Sequence, residues 1–380
     1  MKKLLFVLPS YQIGGTTVSV KNMLLTLQDD RYEKIVLPLN PVGDLAYLYE
    51  KECIIDTCLV LQVLTSETWR IQRNRMYRLF SIILRVLCRR FGFIRRFLFR
   101  YYAKKIEIKY NFDTIVSCQE GVVTEFVSFF TTKKVAWVRC DYKRYLQKIN
   151  KRTEISIYKR YDKIICVSDE MRNVFISVYP QLSLNTIRIF NAQNSSFIKQ
   201  MAVIDDRYSF TKGLFYIVSI GRFDPVKRFS YIPRIAKELS DQGLLFKWLI
   251  IGDGIERSAV EKNIKELGVC DSVECIGIKS NPYYYIANSN LVVSLSLSEA
   301  CPRIINEAKI LHTPVVCTDF TSAYEYINSG YDGIINEINL MSNSIKLMIQ
   351  DKELYNRIKA RILNFEFDNH EILDTLNQVL

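Results

Sequence analysis

Two carboxylates, Glu299 and Glu307, stand eight residues apart in the run SLSEACPRIINEA. Pro302 suits the first turn of a helix. Glu299 then falls in the loop before that helix, and Glu307 lies about five residues in, roughly 8 Å along the axis. That span is comparable to a sugar joined through phosphates to a nucleoside, and a carboxylate accepts two hydroxyls at once. Taken alone, the pair reads as two helix carboxylates, one of them favoured by the N-terminal dipole. Upstream, SIGRFDPVKR places Arg222 and Lys227 just beyond an apolar run that starts at Phe215. Asp224 and Pro225 make a turn, so the two cations can converge on one point. A guanidinium fork beside a compact ammonium suits a diphosphate. Without other motifs around them, they would be two solvated surface charges.

Three further segments have the same form, an apolar run followed by a turn. SYQIGG ends in Gly14 and Gly15, ahead of a helix from about Thr17 to Leu27. Glycine there lets backbone approach a ligand, and the helix N-terminus favours an anion; an ordinary strand–turn–helix corner would want glycine too. IIGDG carries Gly252 and Gly254 just after another apolar run, where open α/β sheets bind ligands. TPVVCTDFTSAYEYI offers a strand, a turn at Asp319 and a helix carrying Glu325. The chain has two histidines, His312 and His370, neither in a catalytic arrangement. HExxH, GxSxG and GxxxxGK[ST] do not occur, nor does DxD. No metal and no resident cofactor is expected.

These turns need strands to hold them. Short Val/Ile/Leu runs occur at Leu4–Leu8, Ile35–Leu39, Thr114–Cys118, Val135–Val138, Ile164–Val167 and Ile187–Phe190. They resume at Phe215–Ile220, Trp248–Ile251, Val273–Ile276, Leu291–Leu295 and Val315–Cys317, with helical patterns between them. Continuous apolar runs alternating with helices predict parallel strands buried on both faces, an α/β doubly wound architecture. The pattern pauses between Asn191 and Gly213, where NAQNSS is polar and DDRYSFTKG turn-rich. Two domains are expected, 1–200 and 211–363, with a helix at 364–380 packing back onto the first. A length of 380 residues gives each domain enough chain for a core. The 49% apolar and 24% charged content is that of a globular protein and excludes a disordered one. Ten cysteines without a CxxC pair read as small buried hydrophobes in a reducing compartment. The opening MKKLLFVLP is broken by Pro9 too early for a signal-peptide core, and no run reaches the length of a membrane span.

Together these motifs resemble glycosyltransferase family 4, the retaining enzymes of the GT-B fold. The resemblance is carried by the Gly-Gly of IGG, GRFDPVK, IGDG, the Glu-x7-Glu of EACPRIINE and TPVVCTD, with KIICVSDEMRNVF and TIRIFNAQN near the end of the first domain. It implies two Rossmann-like domains facing each other across a cleft. The implied activity is transfer of a hexose-type sugar from a nucleotide-sugar donor, with no metal. By the same resemblance Arg222 and Lys227 neutralise the donor diphosphate. Glu307 holds the ribose hydroxyls, and Glu299 meets the transferred sugar with the backbone amides of Ala300 and Cys301. Gly15, Gly221 and Gly252 form the loops around the donor. Retention in this family is assigned to a front-face reaction in which the leaving phosphate helps deprotonate the acceptor, consistent with the lack of a histidine base. The chain departs from the family at EACP, where many members carry an EGFG-like stretch, at Arg303 close by, and at Arg139 of AWVRCD, where many carry histidine. Arg139 and Arg303 are assigned to the acceptor side.

Charge is unevenly spread. Between Trp69 and Lys105 there are twelve Lys or Arg and no acid, equal to the whole net charge of +12. Apolar and aromatic residues interleave with them, from Leu79 and Phe80 to Tyr101 and Tyr102. A basic amphipathic segment with aromatics reads as membrane-interface binding, with Arg89, Arg90, Arg95 and Arg96 meeting anionic lipid; the plainer reading is a solvated basic face. A lipid-linked acceptor in bacterial surface-polysaccharide synthesis (capsule, O-antigen or exopolysaccharide) would fit, at the inner face of the cell membrane. Two other classes fit the sequence less well. An epimerase acting on nucleotide sugars needs acid and base groups near the sugar, and these are scarce. A basic nucleic-acid-binding protein would match the pI of about 9.1, but no nucleic-acid module is recognisable.

Overall fold

The computed structural model describes residues 1–12, 14–65, 75–147, 149–204, 206 and 208–380, without the side chains of 75–77 and Arg89. Two parallel sheets form among the described residues. The first contains β1 (Lys2–Ser10), β2 (Tyr32–Asn40), β3 (Cys53–Ile54), β4 (Thr114–Ser117), β5 (Lys134–Val138), β6 (Lys163–Cys166) and β7 (Thr186–Arg188). Their order is β3-β2-β1-β4-β5-β6-β7. The second contains β8 (Phe215–Ile220), β9 (Phe246–Ile251), β10 (Val273–Gly277), β11 (Leu291–Ser294), β12 (Val315–Thr318) and β13 (Ile334–Asn336), in the order β10-β9-β8-β11-β12-β13. The apolar runs coincide with strands because both faces are covered: Leu4 to Leu8 are wholly buried. β3 and β13 have no such run. They are edge strands of two and three residues, held by pairing to β2 and β12.

Alternation along the strands divides the second sheet's apolar residues between two cores. Ile217, Trp248, Ile250, Val293 and Val316 face one, while Val218, Leu249, Ile251, Val292 and Val315 face the other. At the centre, the Ser219 hydroxyl donates to the carbonyl of Val293 (2.6 Å) and accepts from the Trp248 indole (3.0 Å). One serine thus ties β9 and β11 to β8, the strand at which the order reverses.

The chain divides into two compact units, Met1–Ala192 with Asn369–Leu380, and Gln193–Asp368. The start of the second unit lies earlier than the expected 211. Helix Ser195–Ala202 buries Ile198 and Ala202 in the second unit's core. Asn281 also donates to the Met201 carbonyl at 2.8 Å. At the other end, the expected helix over 364–380 is shorter, His370–Val379. Phe365 and Phe367 pack against the second unit's core, and the stretch that carries them is not helical. The terminal helix belongs to the first unit. Its Asn377 accepts from the Tyr32 hydroxyl (2.7 Å), and the Leu380 carbonyl accepts from Thr114 (2.9 Å). Glu325 ends a 3-10 turn, Thr321–Glu325, rather than sitting on an α-helix.

Candidate active site

Ligands in open α/β sheets bind beyond the carboxyl ends of the strands, where the strand order reverses. In the second unit that point lies between β8 and β11, and the loops leaving these two strands carry Lys227 and Glu299. Three loops are joined there by backbone hydrogen bonds. Gly221 N–H donates to Ile251 (3.0 Å), Phe223 N–H to Asp253 (2.9 Å) and Leu297 N–H to Val226 (2.7 Å). The approach is closest at Gly252, whose φ is +140°; a Cβ there would stand 1.8 Å from the Gly221 carbonyl oxygen. Only glycine fits that contact and that backbone region.

Asp224 shapes the first loop. Its Oδ1 accepts from the N–H groups of Val226 (3.1 Å) and Lys227 (3.0 Å), an Asx turn that reverses the chain. The stem of Lys227 then lies against Gly221, and its ammonium forms an ion pair with Glu299. Glu299 is held on three sides. Its Oε1 takes Lys227 and the Ser296 hydroxyl (2.7 Å), and its backbone carbonyl takes the Ser322 hydroxyl (2.7 Å). Arg222 takes a different course from Lys227. Its guanidinium is largely exposed and meets Asp224 at 3.2 Å.

Glu307 is the fifth residue of the helix Arg303–Ile310, and Pro302 precedes that helix as its N-cap. Glu307 is buried, with its Oε1 2.6 Å from Nη2 of Arg303. Burial works against the Arg303 charge, but the Glu307 carboxylate, with Tyr283 and Cys301 nearby, holds the guanidinium above its ordinary range. Arg303, placed on the acceptor side by the sequence, is therefore the ion-pair partner of Glu307. Ala300 is buried, and the Cys301 sulfur accepts from the Tyr326 hydroxyl at 3.1 Å. Buried Lys309 pins the following segment through Asp332 (2.6 Å) and the Tyr326 carbonyl. The sequence supplied both carboxylates and both loop cations. It did not supply Ser322, which lies 23 residues from Glu299 without a local pattern linking them.

In the first unit, Gly15 opens the helix Gly15–Thr26 after β1, and a Cβ added there would meet nothing within 4 Å among the described residues. Gly43 was not singled out in the sequence, yet its φ is +133° and a Cβ would stand 2.1 Å from the Tyr11 backbone. Arg139 follows β5. Its guanidinium lies over the Trp137 ring, 4.2 Å from the centroid, and reaches Asn191. Beneath it, Glu120 accepts the N–H groups of Arg139 and Cys140. Burial raises the Glu120 carboxyl, and these N–H bonds oppose the rise.

The basic segment forms helices Arg75–Arg90 and Gly92–Tyr110. Arg90 and Arg96 are exposed. Arg95 is turned inward, paired with Glu125 and lying 5.1 Å from the Phe99 ring centroid, so it leaves the basic face. Arg70 and Arg73 lie outside the described residues, as do the side chains of Arg75 and Arg89. Phe93, Phe97, Tyr101 and Ile108 are exposed at helical spacing, while Phe99 and Ala103 face the core. Among the described residues, no helix is long and apolar enough to cross a membrane.

The fold is GT-B, and comparison with known proteins places it among glycosyltransferase structures. Anabaena HepE, solved with UDP and glucose, superposes with a TM-score of 0.76 at 16% identity, over 100% of this chain and 99% of that one. TarM superposes with a TM-score of 0.73 at 13% identity, over 100% and 98%. Residues 202–364, most of the second unit, match the family model described as glycosyl transferases group 1. An uncharacterized glycosyltransferase of Methanocaldococcus jannaschii is 26% identical over 50% of this chain and 48% of its own length. The N-acetylgalactosamine-N,N'-diacetylbacillosaminyl-diphospho-undecaprenol 4-alpha-N-acetylgalactosaminyltransferase of Campylobacter jejuni is 29% identical over 40% of this chain and 43% of its own. The chain thus spans about half the length of these curated relatives.

Proposed function

We propose that the protein is a retaining glycosyltransferase that moves a hexose-type sugar from a nucleotide-sugar donor to a lipid-linked saccharide in bacterial surface-polysaccharide synthesis. The observation that carries the reading is the meeting of Lys227 and Glu299 where the second sheet's strand order reverses, with Glu307 on the helix that follows. Each carboxylate comes with its own cation, Lys227 or Arg303, so neither is a stray buried charge.

Lys227 and Arg222 take the charge that grows on the leaving diphosphate. Glu299 and the amides of Ala300 and Cys301 hold the sugar, and Glu307 holds the ribose. Gly221 and Gly252 let backbone come close to the donor. The acceptor hydroxyl attacks the anomeric carbon on the face the diphosphate leaves. The new C–O bond forms as the old one breaks, and a diphosphate oxygen takes the hydroxyl proton. Such catalysis is positioning and electrostatic stabilisation, with Lys and Arg supplying the charge a divalent cation would otherwise bring.

The lipid-linked acceptor is supported by the Campylobacter relative's name and by the exposed stripe Phe93, Phe97, Tyr101 and Ile108 with Arg96 and Arg100 beside it. Aromatics flanked by arginine suit the interface of an anionic leaflet, which supports the reading of a protein that works at the inner face of the membrane. A thermal-shift screen of UDP-, GDP- and other nucleotide sugars tests the donor assignment. At least one should raise Tm, and the same one should support transfer; a flat response to all of them would overturn the reading.

A further inference from the structure

Arg303 stands where helix energetics disfavour it. It is the first residue of Arg303–Ile310, at the end where unsatisfied N–H groups carry partial positive charge, so a cation is unfavourable there. Its partner Glu307 lies four residues towards the C-terminus, the weaker order for such a pair. The two side chains are only 19% and 7% exposed, so neither charge is well solvated. A helix that needed only to pack would take an aliphatic residue at this position. Where local rules are broken together, function is the usual reason.

The contact is one-sided. Arg303 holds Oε1 of Glu307, and among the described residues no contact engages Oε2. We propose that Arg303 is a specificity-determining residue: by occupying one carboxylate oxygen, it fixes Glu307 so that the other reads a single ribose hydroxyl of the donor. This rests on the reading of Glu307 as the ribose-binding carboxylate. A carboxylate held in this way discriminates, because a donor lacking the hydroxyl forfeits a hydrogen bond to a charged acceptor whose direction is already fixed. Freed of Arg303, the same carboxylate can turn, and it loses both its fixed direction and its counter-charge.

The test compares calorimetric affinities for UDP, GDP, ADP and CDP with those for their 2′-deoxy and 3′-deoxy counterparts, in the wild type, Arg303→Met, Arg303→Lys and Glu307→Gln. The wild type should prefer the ribonucleotide by about tenfold or more over one of the deoxy forms, as expected for a hydrogen bond to a charged group. Arg303→Met should bring that preference to within about twofold while still binding the deoxy form as the wild type does, which also reports an intact fold. Arg303→Lys should recover part of the preference. If Glu307→Gln abolishes the preference and Arg303→Met leaves it whole, Arg303 has no such role and the ribose reading stands. A preference that survives in Glu307→Gln would remove the ribose reading, and this proposal with it. Failure of the wild type to bind any of the four diphosphates would do the same.

Discussion

Glu299 and Glu307 have similar chemistry but different surroundings, and their variants should fail in different ways. Ribose contacts are present in ground and transition states alike, so Glu307→Ala should raise KM for the donor about tenfold with a smaller change in kcat. Glu299, held by Lys227, Ser296 and Ser322, is fixed for the sugar that changes shape during transfer. Its Ala variant should lower kcat by about a hundredfold with little effect on KM. Steady-state kinetics over a range of donor concentrations separates the two; equal effects on both parameters in both variants would contradict the division of roles. The residue types were legible because the two carboxylates and the loop-borne Arg and Lys stand in order among strand–turn motifs; alone they read as ordinary surface charges. The partners were not. The Asx turn that returns Lys227 to Glu299 could be read from DP, but the Ser322 hydroxyl under Glu299 has no counterpart in local pattern. Arg303 stands out in the sequence as an unusual charge, yet only the helix register shows it one turn from Glu307.

At the scale of elements, the tightest joint in the second unit is Gly252 against Gly221. An added Cβ would meet the Gly221 carbonyl at 1.8 Å in a backbone region that disfavours side chains. Gly252→Ala should therefore cost roughly 2 kcal/mol or more and lower Tm by several degrees; an unchanged melting curve would show that the joint yields. The sequence revealed the strands because apolar runs buried on both faces are continuous, whereas β3 and β13 escaped because edge pairing of two or three residues leaves no pattern. The basic helices give a further expectation. Each basic residue near an anionic surface contributes about 1 kcal/mol, so Arg90→Glu, Arg96→Glu and Arg100→Glu together should release the protein from acidic liposomes at physiological salt. Arg95 is left intact because it pairs with Glu125. Sedimentation with vesicles reads the outcome, and a wild type that stays in the supernatant would make this face merely solvated.

The molecule as a whole is two parallel α/β units of one 380-residue chain, with the last helix returned to the first. That plan was visible in the rhythm of strands and helices, while the exact limits of each unit were not. Segments 193–202 and 364–368 are placed by what buries them, Ile198 and Phe365 against the second core, rather than by composition. If Arg222 and Lys227 supply the cationic charge at the diphosphate, transfer should persist in excess EDTA; complete loss, restored by Mg²⁺ or Mn²⁺, would assign that charge to a metal instead. The most direct measurement is calorimetric titration of nucleotide sugars, in EDTA, into the wild type and Lys227→Ala. One nucleotide sugar should bind the wild type, and the variant should bind it at least about tenfold more weakly, as the loss of a charge-assisted phosphate contact requires. Equal affinity in the two proteins would contradict a donor site built on Lys227.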